Sequence, residues 1–539
     1  MATDRDRAFF GHPAGLSTLF FTEMWERFSY YGMRAFLIFY MTRSETLGAM
    51  GMTDASAGLV LGVYMSSVYL LSLPGGWIAD RFLGQRKAVT YGGIGIMVGN
   101  AMLALPGTSF FYPGLALAAL GTGLLKPNVS TIVGQLYSSE DPRRESGFTI
   151  YYMGINIGAF IAPLVCGFIA ESAWFRELLA SNGIDPAWSW KLAFAAVALG
   201  MLAGVIQYVL SQARMGEAGL HPTIPTDEKR AARDRSVLGV LVGGVVVIAA
   251  LCVAFSSHIT DSFLGTVFPI ILAVISISLF AGLLKSARDR NERNRIIAMI
   301  PLFLGGIAFF GIFEQASSTL NLFAERNTIP KFLGFMIPSY YQSVNSVFIL
   351  LLAPVFAALW VWLGKRKKEP SSTNKFGIGM VFIAIAIAVM LPTLASEKAG
   401  VIGGTGPNAA HFKDQVSGIY LVGLYFFYTC SELCISPVGL ASMSRLAPKR
   451  LAGMVMGTWF LAASIGNFIA GQAAGFSASR GHAFLYTTII VLSLVVGAAL
   501  FAVAPIIRKM MASEPHEPAD KSEKAEPEPL PEARTIPKE

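Results

Sequence analysis

Residues 18–40 read TLFFTEMWERFSYYGMRAFLIFY. The stretch meets the length of a membrane-crossing helix, about 20 mostly apolar residues. Yet it carries Glu23, Glu26, Arg27 and Arg34. An ionisable group at the centre of a bilayer costs at least ~2.5–3.5 kcal/mol on insertion scales and marks a functional candidate by default. At 100° per residue, Glu23, Arg27, Tyr30 and Arg34 fall within about 60° of one another, and Glu26 lies about 60° to the side. One stripe of acid, base, phenol and base therefore runs over ~16 Å of helix rise. Such a stripe must face a bundle interior or a water-filled cavity, since lipid offers it no partner.

The rest of the 539-residue chain has the same character. It is 54% hydrophobic and 14% charged, with a mean hydropathy of +0.55. A soluble domain carries roughly 25% charged residues. Apolar runs recur at 14–41, 55–79, 86–105, 110–133, 147–171, 188–212, 236–256, 263–284, 298–318, 337–363, 376–394, 415–440, 451–474 and 482–506, which predicts an all-α polytopic membrane protein with fourteen spans. The net charge of +8 follows the membrane and is no nucleic-acid signal. With the N-terminus in the cytoplasm, the cytoplasmic segments hold 27 Lys and Arg and the opposite face 8, the bias of the positive-inside rule. Both termini are expected in the cytoplasm. No cleavable signal is expected at the start, and 513–539, rich in Pro, Glu and Lys, reads as a disordered tail.

Two charged stretches, 213–235 and 285–295, bracket a very apolar hairpin at 236–284. The expected organisation is a six-helix bundle in 1–212, a linker with an inserted hairpin in 213–295, a second six-helix bundle in 296–512, and the tail. A 6+6 arrangement suits a transporter whose site lies between two related bundles near the midplane.

Seven charges lie inside spans: Glu23, Glu26, Arg27, Arg34, Lys126, Glu314 and Glu432. A static salt-bridge network is the competing explanation, but buried pairs stabilise poorly. Seven charges over four spans suit a cavity lining better. All six histidines lie at loops or span edges, so any proton moved through the bilayer must ride on carboxylates. The bases lie only in the first half, and the isolated acids Glu314 and Glu432 in the second. A cavity of that polarity suits a zwitterion. The cysteines give no metal spacing, and neither YGGIGIMVGN nor GTGLLKPN is a nucleotide loop. Tyr69, Asn156, Gln315, Asn345, Ser431 and Trp459 are the other polar groups at cavity depth.

EMWERFSYYGMRAFL resembles the ExxERFxYYG signature of the proton-coupled oligopeptide transporters, a branch of the major facilitator superfamily. YYMGINIGAF (151–160) is similar to the family's fifth-span signature, GGWIADRFLGQRK (75–87) to the superfamily loop between spans two and three, and SELCISPVGLASMSRLAP (431–448) to the tenth core helix. The resemblance covers residues ~14–506 and implies the major facilitator fold with two extra helices, the 236–284 hairpin. It implies proton-driven uptake of di- and tripeptides by alternating access, with no cofactor beyond the proton as coupling ion. Carried over by motif, Glu23, Glu26 and Arg27 form a proton-coupling cluster interacting with Lys126, and Glu314 is a proton site linked to Arg34. Arg34 and Lys126 hold the peptide carboxylate. Glu432 holds the amine, helped by Asn156 and Asn345. Tyr30, Tyr69 and Trp459 line the pocket. Asp80 and Arg81 lock the half-bundles on the cytoplasmic side.

The chain departs from the family's animal members in lacking a histidine over 59–77 and in its short loop at 395–414, and from some bacterial relatives in placing Phe313 before Glu314. These point to a bacterial inner-membrane protein, and the resemblance implies that it works as a monomer, since the site would lie within one chain. Competing readings are a same-fold carrier of nitrate, an amino acid or a drug-like molecule, and a non-transporting nutrient sensor. No span offers an enzyme's nucleophile–base pair.

Overall fold

The apolar runs become helices almost where the composition places them. A computed structural model describes residues 8–512 apart from 139, 223–231, 233, 240–242, 244–260, 331, 399–400, 403–410 and 447–451. The first half contains α1 (Ala14–Thr42), α2 (Asp54–Ile78), α3 (Gln85–Ala104), α4 (Phe111–Gln135), α5 (Arg144–Glu171), α6 (Ala173–Ser181) and α7 (Trp188–Ser211). The short α6 was not expected. Ser172 starts it by accepting a hydrogen bond from the Phe175 N–H, which satisfies one of the donors a helix start leaves free.

The inserted hairpin is represented by its second arm, α8 (Asp261–Ser286). Its first arm, expected at 236–256, lies mostly outside the described residues, as does the 513–539 tail. The second half contains α9 (Arg290–Phe313), α10 (Thr319–Asn327), α11 (Tyr341–Lys365), α12 (Ser372–Ala388), α13 (Leu394–Lys398), α14 (Ile419–Leu446) and α15 (Ala452–Ala512). Helix α15 is two spans joined at Gly481, where φ is 80° and ψ is 166°. Glycine is the residue that takes a positive φ without penalty. The only sheet among the described residues is the two-residue antiparallel pair β1 (Val401–Ile402) and β2 (His411–Phe412).

Two separate bundles result. In the first, α1 packs on α5 and α7, α3 on α4 and α7, and α2 on α4. In the second, α15 packs on α9 and α12, and α14 on α12 and α11. Each has its own apolar core, one around Phe36, Phe194 and Trp190, the other around Phe309, Phe376 and Tyr428. The bundles meet chiefly through α2 against α15 and α5 against α11. The α2–α15 contact is backbone on backbone. A Cβ on Gly58 would overlap the Gly471 carbonyl, and one on Gly471 would overlap that of Gly58. Small residues are what let membrane helices approach so closely.

The end at which α1 starts is termed the near face here, and the end at which it finishes the far face. Bonds across the bundles gather toward the far face. Asn321 on α10 donates to the Ala35 carbonyl at 3.0 Å, and Ser343 on α11 to that of Phe160 at 2.8 Å. The hydroxyls of Ser66 and Ser464 meet at 2.7 Å.

Candidate functional site

The charged stripe of α1 faces inward. Glu23, Glu26 and Arg27 are 2%, 1% and 3% exposed. Arg27 serves both acids. Its Nη2 donates to Glu26 Oε1 at 2.6 Å, its Nε also pairs with Glu26, and Nε lies 3.3 Å from Glu23 Oε1. Tyr151 on α5 donates to Glu23 Oε2 at 2.7 Å. Sequence reasoning gave Tyr151 no role, although it opens the quoted fifth-span motif. Two acids therefore share one guanidinium in a water-poor pocket, an arrangement in which a proton on either acid frees part of Arg27's hydrogen bonding.

Lys126 sits beside the cluster without an ion pair to it among the described residues. Its Nζ rests over the Tyr69 ring, 4.1 Å from the centroid. Arg27 already occupies both carboxylates. A cation over an aromatic face is still stabilised by the ring's quadrupole, and it stays available to an incoming anion. Lys126 therefore acts on the cluster through its charge, from its seat over Tyr69.

Arg34 reaches across the bundles. Its Nη2 lies 2.7 Å from Glu314 Oε2, and both residues are buried. The Arg34 guanidinium also lies 5.6 Å from the Tyr31 ring centroid, and that of Arg27 lies 5.0 Å from the Tyr30 centroid. Arg34 Nε and the Tyr30 hydroxyl are buried with no hydrogen-bond partner among the described residues.

The backbone explains why Glu314 is free to turn inward. Helix α9 stops at Phe313, a 3₁₀ turn covers Glu314–Ser317, and α10 restarts at Thr319. The polar run EQASST makes the break. Gln315 donates to the Gly311 carbonyl at 3.1 Å, Ser317 to that of Glu314 at 3.0 Å, and Ser318 to that of Ala470 at 2.9 Å. Gln315 and Ser317 thus satisfy backbone oxygens at the break, the condition for irregular backbone within a membrane, while Ser318 ties the break to α15.

On α14, Glu432 Oε2 accepts from Asn345 Nδ2 at 3.1 Å, and the same amide donates to Thr429 Oγ1 at 3.0 Å. No Lys or Arg pairs with Glu432 among the described residues. Asn156 is buried and donates to the Tyr152 carbonyl of its own helix at 3.0 Å. Trp459 is buried between Phe310 and Phe376, with ring centroids 5.5 and 6.1 Å away, inside the second bundle's core. Ser431 donates to the Gly379 carbonyl at 2.8 Å.

Residues 447–451, which follow α14, lie outside the described residues, and among those described Asp80 and Arg81 have no partner in the second bundle. They sit on a π-helical turn, Ala79–Leu83. Asp80 Oδ1 accepts from Gln85 Nε2 at 2.7 Å, and Arg81 Nε lies 3.7 Å from Asp234 Oδ2 in the linker. A lock sits at the far face. Arg326 on α10 pairs with Asp54 on α2 through two bonds of 2.6 and 2.8 Å. Arg43, just past α1, pairs with Glu325 and lies 3.4 Å from Glu171. Sequence reading missed these five because it ended the ninth span at 318, which left Glu325 and Arg326 in a loop.

Two six-helix bundles that enclose opposed charges at mid-depth define a polytopic transporter of the major facilitator fold. The profile of the POT family (PTR2) matches residues 86–488, and the chain belongs to that family. It is 39% identical over 487 residues to the peptide transporter YePEPT of Yersinia enterocolitica, covering 88% of this chain and 89% of the relative. It is 36% identical over 522 residues to a di-/tripeptide transporter of Lactococcus lactis subsp. cremoris, with 94% and 98% coverage. Among solved structures, a peptide transporter POT variant in complex with alafosfalin superposes with a TM-score of 0.81 at 37% identity, covering 94% of this chain and 98% of that one. A POT family transporter in complex with 5-aminolevulinic acid gives 0.80 at 30% identity, with 93% and 98% coverage.

Proposed function

We propose that this chain is a proton-coupled symporter that imports di- and tripeptides, and peptide-like compounds, by alternating access. One observation carries the reading. Between the bundles, Arg34 and Lys126 face from one side, and from the other Glu432, whose carboxylate has no Lys or Arg partner among the described residues. A zwitterion fits that field in one direction, carboxylate toward the bases and amine toward Glu432. The relatives' names and bound molecules agree with such a cargo: di-/tripeptides in one case, 5-aminolevulinic acid in another.

Coupling follows from competition. Peptide carboxylate at Arg34 displaces Glu314, and the freed Glu314 takes a proton. Protons reaching Glu23 or Glu26 release Arg27 in the same way. The charge bias supports an orientation with the near face and both termini on the cytoplasmic side, in what we read as a bacterial inner membrane. On that orientation the far-face pairs seal the outside, and the conformation faces inward. The chain acts as a monomer, because every residue in this scheme comes from one polypeptide, and it needs no cofactor.

The deciding experiment is uptake of radiolabelled dialanine into proteoliposomes under an imposed inward proton gradient. Accumulation should occur and should collapse when a protonophore is added. Its absence in tight, correctly reconstituted vesicles sinks the reading in favour of another cargo.

A further inference from the structure

At the near face, α8 and α9 meet in a tight turn that opens into a groove of about 910 Å³. Lys285, Arg288, Arg290 and Arg293 line it, with Leu284 and Ile297 among its apolar walls. None of the four cations has a side-chain hydrogen bond or ion pair among the described residues. The acids of the turn are used locally. Asp289 accepts from the Glu292 N–H at 2.7 Å, and Glu292 from the Arg288 N–H at 2.7 Å. The start of α9 adds the positive end of its helix dipole to the same spot.

Two apolar lanes lead out of the groove along the bilayer. On α8, Ile270, Val274 and Ile277 are 56%, 56% and 70% exposed, and their spacing places them on the face that ends in Lys285. On α9, Leu304, 58% exposed, lies two turns from Ile297 on the face that carries Arg290 and Arg293. Charge in a groove at the interface, with apolar lanes along the membrane normal, matches an amphiphile lying beside the protein.

We propose that this groove binds the headgroup of an anionic phospholipid from the near-face leaflet, with its acyl chains along α8 and α9. The lipid then pins the inserted hairpin to the second bundle. Basic pockets between membrane helices suit phosphate headgroups. The site depends on the membrane embedding and not on the cargo.

The test is native mass spectrometry of the full chain released from micelles holding phosphatidylglycerol and phosphatidylethanolamine. One variant carries Arg288→Gln, Arg290→Gln and Arg293→Gln. A matched control carries Lys365→Gln, Lys367→Gln and Lys368→Gln, which removes three charges where α11 ends. At about 1 kcal/mol per base near the surface, losing three should cut phosphatidylglycerol retention by about 100-fold. The expected result is that selective retention is lost in the groove variant, kept in the control, and insensitive to added inorganic phosphate. Equal loss in both variants would reduce the effect to general surface charge and overturn the proposal. So would displacement by inorganic phosphate, which would mark a soluble-anion site, or undiminished retention in a groove variant of unchanged thermal stability.

Discussion

Glu432 carries the sharpest prediction, because it is an acid held by Asn345 with no Lys or Arg ion-paired to it among the described residues. Glu432→Gln keeps the size of the side chain and removes its charge. One charge-assisted hydrogen bond is worth about 1.5–3 kcal/mol, so KM for dialanine should rise about 10- to 100-fold. Uptake kinetics read this directly, and an unchanged KM would favour an anion as cargo, which has no use for that acid. Glu26→Gln makes the complementary test. It leaves Arg27 its pair with Glu23 but removes one titrating acid from the cluster. Gradient-driven accumulation should be lost while exchange of labelled for unlabelled dialanine persists; accumulation that survives would rule out a coupling role for Glu26. Much of this chemistry was legible beforehand, since helix period alone places Glu23, Arg27 and Arg34 on one stripe. What sequence could not supply is which residue answers from another helix. Tyr151 on Glu23 and Tyr69 under Lys126 are tertiary partners, and periodicity along one helix contains no information about them.

At the scale of elements, apolar runs located the spans well, because bilayer thickness fixes their length. They failed where polar residues change the backbone without leaving the membrane. The run EQASST looks like the end of a helix, yet its side chains cap carbonyls and α10 resumes for two more turns. That extension delivers Glu325 and Arg326 to the far face, where each meets a residue of the first bundle. The Arg326–Asp54 pair is bidentate and largely buried. Removing one partner of such a pair costs about 3–5 kcal/mol, mostly by stranding the other charge. Asp54→Arg alone should therefore suppress uptake by tenfold or more through like-charge repulsion across the gate. Asp54→Arg combined with Arg326→Asp should recover a substantial part of it. Failure of the exchanged pair to outperform the single variant would show that the pair's geometry, and not its attraction, is what the gate requires.

For the whole molecule, the 6+6 count and the two bundles were readable from hydropathy, but the conformation was not. A sequence encodes every state of the cycle, and the motif carrying Asp80 and Arg81 meets, among the described residues, only Gln85 and the linker's Asp234. The state seen is shut at the far face, where α2 and α15 touch backbone to backbone. If transport requires that face to part, tying it closed must stop the cycle. Ala55 and Gly475 offer the place, because a Cβ built on Gly475 falls 3.0 Å from that of Ala55. A disulfide needs about 3.5–4.5 Å between Cβ atoms, a gap the helices reach by parting about half an ångström or more. Among the described residues the free cysteines Cys166, Cys430 and Cys434 are buried, and replacing Cys252, which lies outside them, with Ser leaves the new pair the one an oxidant supplied from solution reaches first. Ala55→Cys with Gly475→Cys should transport dialanine when reduced, lose at least nine-tenths of its uptake when oxidised, and recover on reduction. Binding from the near face should meanwhile persist, read as a dialanine-dependent rise in Tm of the oxidised protein. Full uptake with the bridge verified by mass spectrometry would mean that α2 and α15 never separate at this end, and that the bundles alternate about some other contact.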